Sequence, residues 1–426
     1  MKLGRNEYIV AILTKVIMVF MGLVESIILA RYLGAELRGQ VSYINSIVQI
    51  GYVVATFGIY TAYPYYRQKE SKEAIMDRML SITYVMFGIY IIVALLVAFL
   101  FKINMEYIYI AILIPVFFYD KIISFIFLIE TTNKINAIVL LASLVKLIYY
   151  GGLYIVAPKT LGWGISTLII APAIESIYFT FNLRFNFSLK YCKPSSLIPL
   201  ISYGILPMIA LLMTTLNYRI DVIMLRQYDT ISLSDIGVYS IGITLAEKVL
   251  LVSDAVKEIL LSKLAKGKGE SEVAKVMRLC FFVSFLMAIA VSLASKMFIS
   301  ILYGSEYNGA ETVTNISVWG TIFMVYFKMI SQYNVANRRQ KYNVIFLGAA
   351  ILLNVILNSL FIPIIGINGA ALATAIGYCF SSLIFVVYFH KISNINYRDM
   401  LFINRCDIDI VKLFVKQAVS DNKGIN

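Results

Sequence analysis

The sequence predicts an all-α integral membrane protein, on three observations: composition, the length of its apolar stretches and the placement of its positive charge. Of 426 residues, 60% are hydrophobic and 14% charged, and the mean hydropathy is +0.82. Soluble domains carry about 25% charged residues, which excludes one large soluble core. Lipid offers no hydrogen bonds to the backbone, so only helices and closed barrels cross it. Barrel strands alternate apolar and polar residues over about ten positions. Here the apolar stretches run about 20 residues without alternation, the length that carries a helix through about 30 Å of hydrocarbon.

Twelve such stretches follow in order: residues 9–30, 40–63, 79–101, 107–130, 137–157, 161–183, 198–227, 236–260, 279–302, 310–334, 342–365 and 367–390. The first is a full crossing without a small-x-small cleavage site, so it reads as a span and not as a signal peptide. Residues 1–183 then form an N-terminal six-helix bundle and 198–390 a C-terminal one, joined by a cytoplasmic linker over 184–197. The tail, 391–426, places Ile408, Val411, Phe414, Val415 and Ala418 at helical spacing beside Lys412 and Lys416. That pattern predicts an amphipathic helix lying on the inner leaflet.

Positive charge orients the spans, because loops rich in Lys and Arg stay in the cytoplasm. With the N-terminus inside, alternate loops and the two termini collect 24 of the 37 basic residues, and the opposite loops collect 5 (Arg31, Arg38, Lys102, Lys159 and Arg226). Both termini are expected in the cytoplasm of a bacterial-type inner membrane. The formal net charge of +13 is then a topology signal with attraction to anionic lipid, and no nucleic-acid partner is implied. Cys192, Cys280, Cys379 and Cys406 lack metal or redox spacing, and His390 stands alone at the end of the last span. No metal or cofactor is called for.

Two loop pairs repeat. Arg31-Tyr32-Leu33-Gly34 with Gly39-Gln40-Val41-Ser42-Tyr43 returns as Arg226-Gln227-Tyr228 with Gly237-Val238-Tyr239-Ser240, about 198 positions on. Pro158 to Ile165 returns as Pro363 to Ala370, about 204 on. Two similarities at nearly one offset predict halves of the same orientation, related by a pseudo-two-fold along the membrane normal, the parallel-repeat plan of some transporters. Chance likeness of short Gly/Tyr loops is the alternative.

Ala30-Arg31-Tyr32-Leu33-Gly34, Gly204-Ile205-Leu206-Pro207, Arg219 to Leu225, Gly304-Ser305-Glu306-Tyr307, and Asn354 and Asn358 before Ile362-Pro363 and Gly366 to Thr374 together resemble one family. They are similar to the polysaccharide flippases (O-antigen or capsule repeat-unit, Wzx type) of the multidrug/oligosaccharidyl-lipid/polysaccharide exporter superfamily. The resemblance covers all twelve spans. It implies a V-shaped, MATE-like pair of bundles giving alternating access to a central cavity. The implied activity is transfer of a polyprenyl-diphosphate-linked oligosaccharide to the outer leaflet, with H+ or Na+ coupling and polysaccharide assembly proteins as partners. A MATE-type cation-coupled drug antiporter is the alternative. A membrane enzyme is disfavoured, because the outer loops are short and no phosphate-cradling motif appears.

A diphosphate needs cationic partners in a wet cleft, since an unpaired anion in hydrocarbon is costly. Lys121, Lys146 and Lys248 fall near the middle of the fourth, fifth and eighth spans, and Lys15 and Lys328 in the inner halves of the first and tenth. These five, with Asn45 and Gln49 four residues apart on one helix face, are the candidate cavity residues. Glu25 is the candidate coupling-ion carboxylate, with an ion pair to a lysine as the competing reading. Arg219 and Asp221 are expected to form a structural ion pair. Glu130, Glu175, Asp120, Glu247, Asp254 and Glu258 also lie within the stretches, so salt bridging between helices competes with a cavity role for every lysine. A reporter fused after residue 193 or 268 should read cytoplasmic and one near Lys159 or Glu306 external; an external signal after 268 would overturn the twelve-span topology.

Overall fold

The computed structural model describes residues 5–101, 104–267 and 269–402. The expected tail helix and Cys406 lie outside the described residues, as does the side chain of Lys15. Fourteen α-helices follow in order: α1 (Arg5–Ala55), α2 (Tyr63–Arg67), α3 (Lys72–Phe101), α4 (Met105–Glu130), α5 (Thr132–Val156), α6 (Leu161–Asn182), α7 (Pro194–Leu225), α8 (Leu233–Glu247), α9 (Leu251–Ala265), α10 (Glu270–Phe298), α11 (Ala310–Thr321), α12 (Met324–Ala336), α13 (Gln340–Ser393) and α14 (Tyr397–Leu401).

Two of these are pairs of spans joined at a corner. α1 breaks at Gly34 (φ 74°, ψ 174°), and α13 at Ile365 and Gly366, the latter with φ 60° and ψ −137°. Backbone of this kind is nearly free only for glycine, which is why both corners fall on the glycines of the repeated loops. Two further spans are broken within the bilayer. The eighth is α8 and α9 joined by a 3-10 turn over Lys248–Leu250, and the tenth is α11 and α12 bent by 42°. With each corner counted as two crossings and each broken pair as one, the described helices accommodate the twelve expected spans.

A broken helix frees carbonyls that lipid cannot satisfy, so neighbouring side chains must. Ser284 of α10 donates to the Val249 carbonyl at 2.8 Å, inside the 3-10 turn. Ser382 of α13 donates to the Phe323 carbonyl at 2.6 Å, inside the α11–α12 bend. Gly320 allows that bend: a Cβ there would stand 2.3 Å from the Ala375 Cα.

Packing divides the chain into two compact units. The first comprises Met1–Ile241, Met297–Ala310 and Asn358–Ala370; the second comprises Gly242–Lys296, Glu311–Leu357 and Ala371–Asn426. Packing thus groups α7 and two corner segments with the first six spans, whereas the repeat groups spans by sequence. In the first unit, Phe118, Phe127 and Phe179 anchor one apolar cluster with Tyr63 and Met79, and Ile44, Val48 and Leu113 anchor another.

Loops expected on one side of the membrane meet one another. Arg67 and Lys72 reach Glu130 at 2.9 and 3.2 Å, and the Asn186 N–H donates to Asp77 at 2.7 Å, all on the expected inner side. On the expected outer side Tyr32 donates to the Pro158 carbonyl at 2.8 Å. Arg31 Nε donates to the Leu302 carbonyl at 2.6 Å, and Glu306 accepts the Ala35 N–H at 3.1 Å.

The two repeat glycines meet reciprocally in the first unit. A Cβ on Gly39 would lie 1.8 Å from the Leu233 carbonyl oxygen, and one on Gly237 would lie 2.0 Å from the Ala35 carbonyl oxygen. Ala35 and Leu233 are themselves 198 residues apart. Gly39→Ala and Gly237→Ala should therefore each lower thermal stability in detergent, by about 1–3 kcal/mol as overpacked contacts do. Gly88→Ala, where a Cβ meets nothing within 4 Å, should not. Equal midpoints for all three variants would show that the close approach carries no load.

Candidate functional site

The first unit holds a belt of charged and polar side chains within its spanning helices. Glu25, on the first limb of α1, is buried to 8% exposure and pairs with Lys146 of α5 at 2.8 Å. Lys146 also stands over the Tyr150 ring, 5.5 Å from its centroid, and the Tyr150 hydroxyl donates to the Thr167 carbonyl at 3.1 Å. These contacts join the first limb of α1 to the consecutive helices α5 and α6. They give the ion-pair reading of Glu25 its geometry: in this state the carboxylate is held by a lysine.

Two more carboxylates extend the belt. Asp120 of α4 accepts from Ser176 of α6 at 3.0 Å and from Ser124 at 3.2 Å. Glu175, the residue before Ser176, has both Asp120 and Lys146 as charged neighbours. Tyr52 of the second α1 limb faces Asp120 and Arg219. A cavity of about 290 Å³ opens alongside, lined by Phe87, Tyr119, Pro172, Ser176 and Thr180 among others.

Arg219 and Asp221 do not pair with each other. Two residues apart on a helix, their side chains leave it about 200° apart, and each finds an amide instead. Arg219 Nε donates to Gln49 Oε1 at 3.0 Å, and Asn358 Nδ2 donates to Asp221 Oδ1 at 2.6 Å. Gln49 is thereby placed on an arginine, and Asn45 lies half-buried one turn before it.

The second unit has its own charge cluster beside the two broken spans. Lys328 of α12, 9% exposed, reaches Asp254 of α9 at 2.6 Å. Asp254 also takes Lys257 at 2.9 Å. Lys248 lies in the 3-10 turn of the eighth span, next to Glu247. Among the described residues neither Lys248 nor Lys121 forms an ion pair; Lys121 instead lies over the Tyr60 ring at 5.5 Å. Of the five candidate lysines, then, Lys146 and Lys328 are carboxylate-paired, Lys121 and Lys248 are not, and Lys15 falls outside the described side chains.

Sequence reasoning left Asp120, Glu175, Ser176 and Ser284 without roles. Ser284 had a signal of a kind, a hydroxyl in an apolar span, but its use depends on a helix break in another segment. His390 Nδ1 meets the Ile395 carbonyl at 2.7 Å, and its ring stacks on Tyr397 at 4.1 Å.

Long apolar helices with corners, breaks and cross-paired charges define a polytopic α-helical membrane fold. Solved structures of that fold are similar over nearly the whole chain. An inward-facing multidrug resistance MATE family transporter of the MOP superfamily matches with TM-score 0.69 and 12% identity, covering 88% of this chain and 94% of that one. The lipid II flippase MurJ in an inward closed conformation matches with TM-score 0.68 and 17% identity, covering 92% and 89%. A MOP superfamily transporter from Pyrococcus furiosus matches with TM-score 0.52 and 13% identity, covering 89% and 93%. No curated protein matches. The sequence model described as polysaccharide biosynthesis protein matches residues 28–312, and the chain belongs to that family.

Removing one member of a buried pair strands the other charge, which costs about 3–5 kcal/mol. Lys146→Ala should therefore lower the unfolding midpoint sharply, and the double variant Glu25→Gln with Lys146→Met should recover most of the loss. Wild-type stability in the single variant would show that Glu25 has another partner.

Proposed function

We infer that this chain is a flippase that carries a lipid-linked oligosaccharide from the cytoplasmic to the outer leaflet. The observation that carries the reading is the match to the polysaccharide biosynthesis family over residues 28–312, which spans most of the membrane region. The fold shared with a lipid II flippase is in keeping with it. The substrate would carry a polyprenyl diphosphate, and the halves 1–183 and 198–390 would alternate access to it about a pseudo-two-fold along the membrane normal. The reciprocal contact of Gly39 and Gly237 supports that symmetry, because a two-fold axis makes each residue meet its partner's neighbour in turn.

In this reading Lys121 and Lys248, which have no carboxylate pair, are the cations available to a diphosphate. Lys328 and Lys146 are available only when Asp254 and Glu25 let go. A coupling cation taken up at Glu25 would displace Lys146, so that cation entry and a free ammonium become one event; this is how the coupling carboxylate would act. The inside-negative potential helps a net negative headgroup move outward by about 2.3 kcal/mol per charge per 100 mV. Asn45 and Gln49 would meet sugar hydroxyls, Gln49 once Arg219 leaves it. Both termini would lie on the cytoplasmic side of a bacterial-type inner membrane, in keeping with the distribution of Lys and Arg. The antiporter reading draws on one observation, the carboxylates Asp120 and Glu175 beside the apolar cavity, a setting that also suits a lipophilic cation.

Lys121→Ala and Lys248→Ala should each reduce surface polysaccharide at least tenfold in a flippase-deficient host, with protein abundance unchanged, while Lys→Arg is milder. Lipid-linked repeat units should accumulate on the inner leaflet. Undiminished polysaccharide in both variants would remove the electrostatic mechanism, and resistance to cationic drugs conferred by the wild type would favour the antiporter.

A further inference from the structure

A second basic site stands in the second unit, at the start of α13 and clear of the Lys328–Asp254 pair in sequence and in helix position. Arg338, Arg339, Lys341, Tyr342, Tyr388 and Ile392 line one cavity of about 460 Å³. A topology signal needs positive charge near a span end and nothing more. Here the charges share a walled cavity. Its wall is aromatic: the Tyr342 and Tyr388 rings lie 4.9 Å apart, Tyr388 packs on Phe346 at 5.1 Å, and Lys341 Nζ stands 5.3 Å from the Tyr342 centroid. The Tyr388 hydroxyl is buried, with Arg339 as a charged neighbour.

The turn that presents the arginines is held rigidly. Arg338 adopts φ 57°, a left-handed conformation uncommon outside glycine. The Arg339 N–H donates to the Asn334 carbonyl at 2.7 Å. Asn334 is itself buried and donates to Asn343 at 2.7 Å, and Asn343 donates back to the Ser331 carbonyl at 3.3 Å. A buried amide pair thus braces the turn from both helices it joins. The N-terminus of α13 adds its positive dipole end. Among the described residues Glu270 opposes the cluster: it accepts from Tyr333 at 2.7 Å and has Arg339 as a charged neighbour, leaving a surplus of two positive charges among them.

We propose that this cavity binds a phosphate group at the membrane interface, carried by an anionic phospholipid. A surplus of two cations suits a monoanionic phosphodiester, and the tyrosine wall with Ile392 suits the glycerol region beneath it. Ile345, one turn after Tyr342, is 58% exposed and offers an apolar track for an acyl chain on the same helix face. The inference rests on the membrane reading of the chain and not on what the chain transports.

The test is lipid retention by the purified full chain in detergent, read by native mass spectrometry with phosphatidylglycerol, phosphatidylcholine, inorganic phosphate or a polyprenyl diphosphate added separately. Wild type should retain phosphatidylglycerol over phosphatidylcholine. Arg338→Gln with Arg339→Gln should weaken phosphatidylglycerol about 30-fold, at roughly one surface charge's attraction per arginine, and leave phosphatidylcholine unchanged. Should that double variant aggregate, the exposed Lys341→Gln alone should weaken phosphatidylglycerol about fivefold. Unchanged phosphatidylglycerol, or a parallel loss of phosphatidylcholine, overturns the proposal. Loss of polyprenyl diphosphate alone overturns the phospholipid assignment and gives the cavity to a substrate headgroup.

Discussion

A charge within a spanning helix needs a partner or a wet cleft, and the pairings seen among the described residues tie helices of each unit together. A lysine or aspartate at the centre of a span costs about 2.5–3.5 kcal/mol to insert. Glu25 and Lys146, 2.8 Å apart, offset that cost for each other and tie α1 to α5. Gln49 ties α1 to α7 through Arg219, and Ser176 ties α6 to α4 through Asp120. In the second unit Asp254 does the same for α9 and α12. At the helix breaks the backbone is tied in the same way, since Ser284 donates to the Val249 carbonyl and Ser382 to the Phe323 carbonyl, which the Tyr326 N–H also meets.

How much of this was legible in the sequence depends on the range of the interaction. Corners at Gly34 and Gly366 were marked by local glycine motifs, because a left-handed residue is a local requirement. The positive-inside count is likewise a local reading, and Arg67 and Lys72 with Glu130, or Tyr32 with Pro158, meet between segments it puts on one side. Glu25 and Lys146 are 121 residues apart, and nothing in either neighbourhood names the other. The expected Arg219–Asp221 pair failed for a reason available in the sequence, as positions i and i+2 of a helix face apart. The breaks at Lys248 and Phe323 were unmarked by a proline, and the serine that donates to each lies on another helix.

The segments that carry the family resemblance turn out to be joinery. Arg31 holds the Leu302 carbonyl, Glu306 caps the backbone at Ala35, and the Tyr307 hydroxyl donates to the Ala30 carbonyl at 3.1 Å. Arg-Tyr-Leu-Gly and Gly-Ser-Glu-Tyr are thus two sides of one seam on the expected outer face. A motif used in this way reports the frame, and solved structures share that fold with this chain at 12–17% identity.

The repeat preserves the frame and not the charges. At the 198-residue offset that pairs Gly39 with Gly237, Glu25 corresponds to Ile223, Asp254 to Thr56 and Lys248 to Ile50. One unit therefore keeps three carboxylates around a single paired lysine, while the other gathers two lysines on one aspartate beside a helix break. If the halves rock about a symmetric joint, as proposed, chemistry this unequal lets them divide the work. An acid-rich site is suited to taking up and releasing a cation, and a lysine-crowded one to meeting an anionic headgroup. Symmetry would make the two conformations of the cycle close in energy, leaving the membrane potential or an ion gradient to give the cycle its direction.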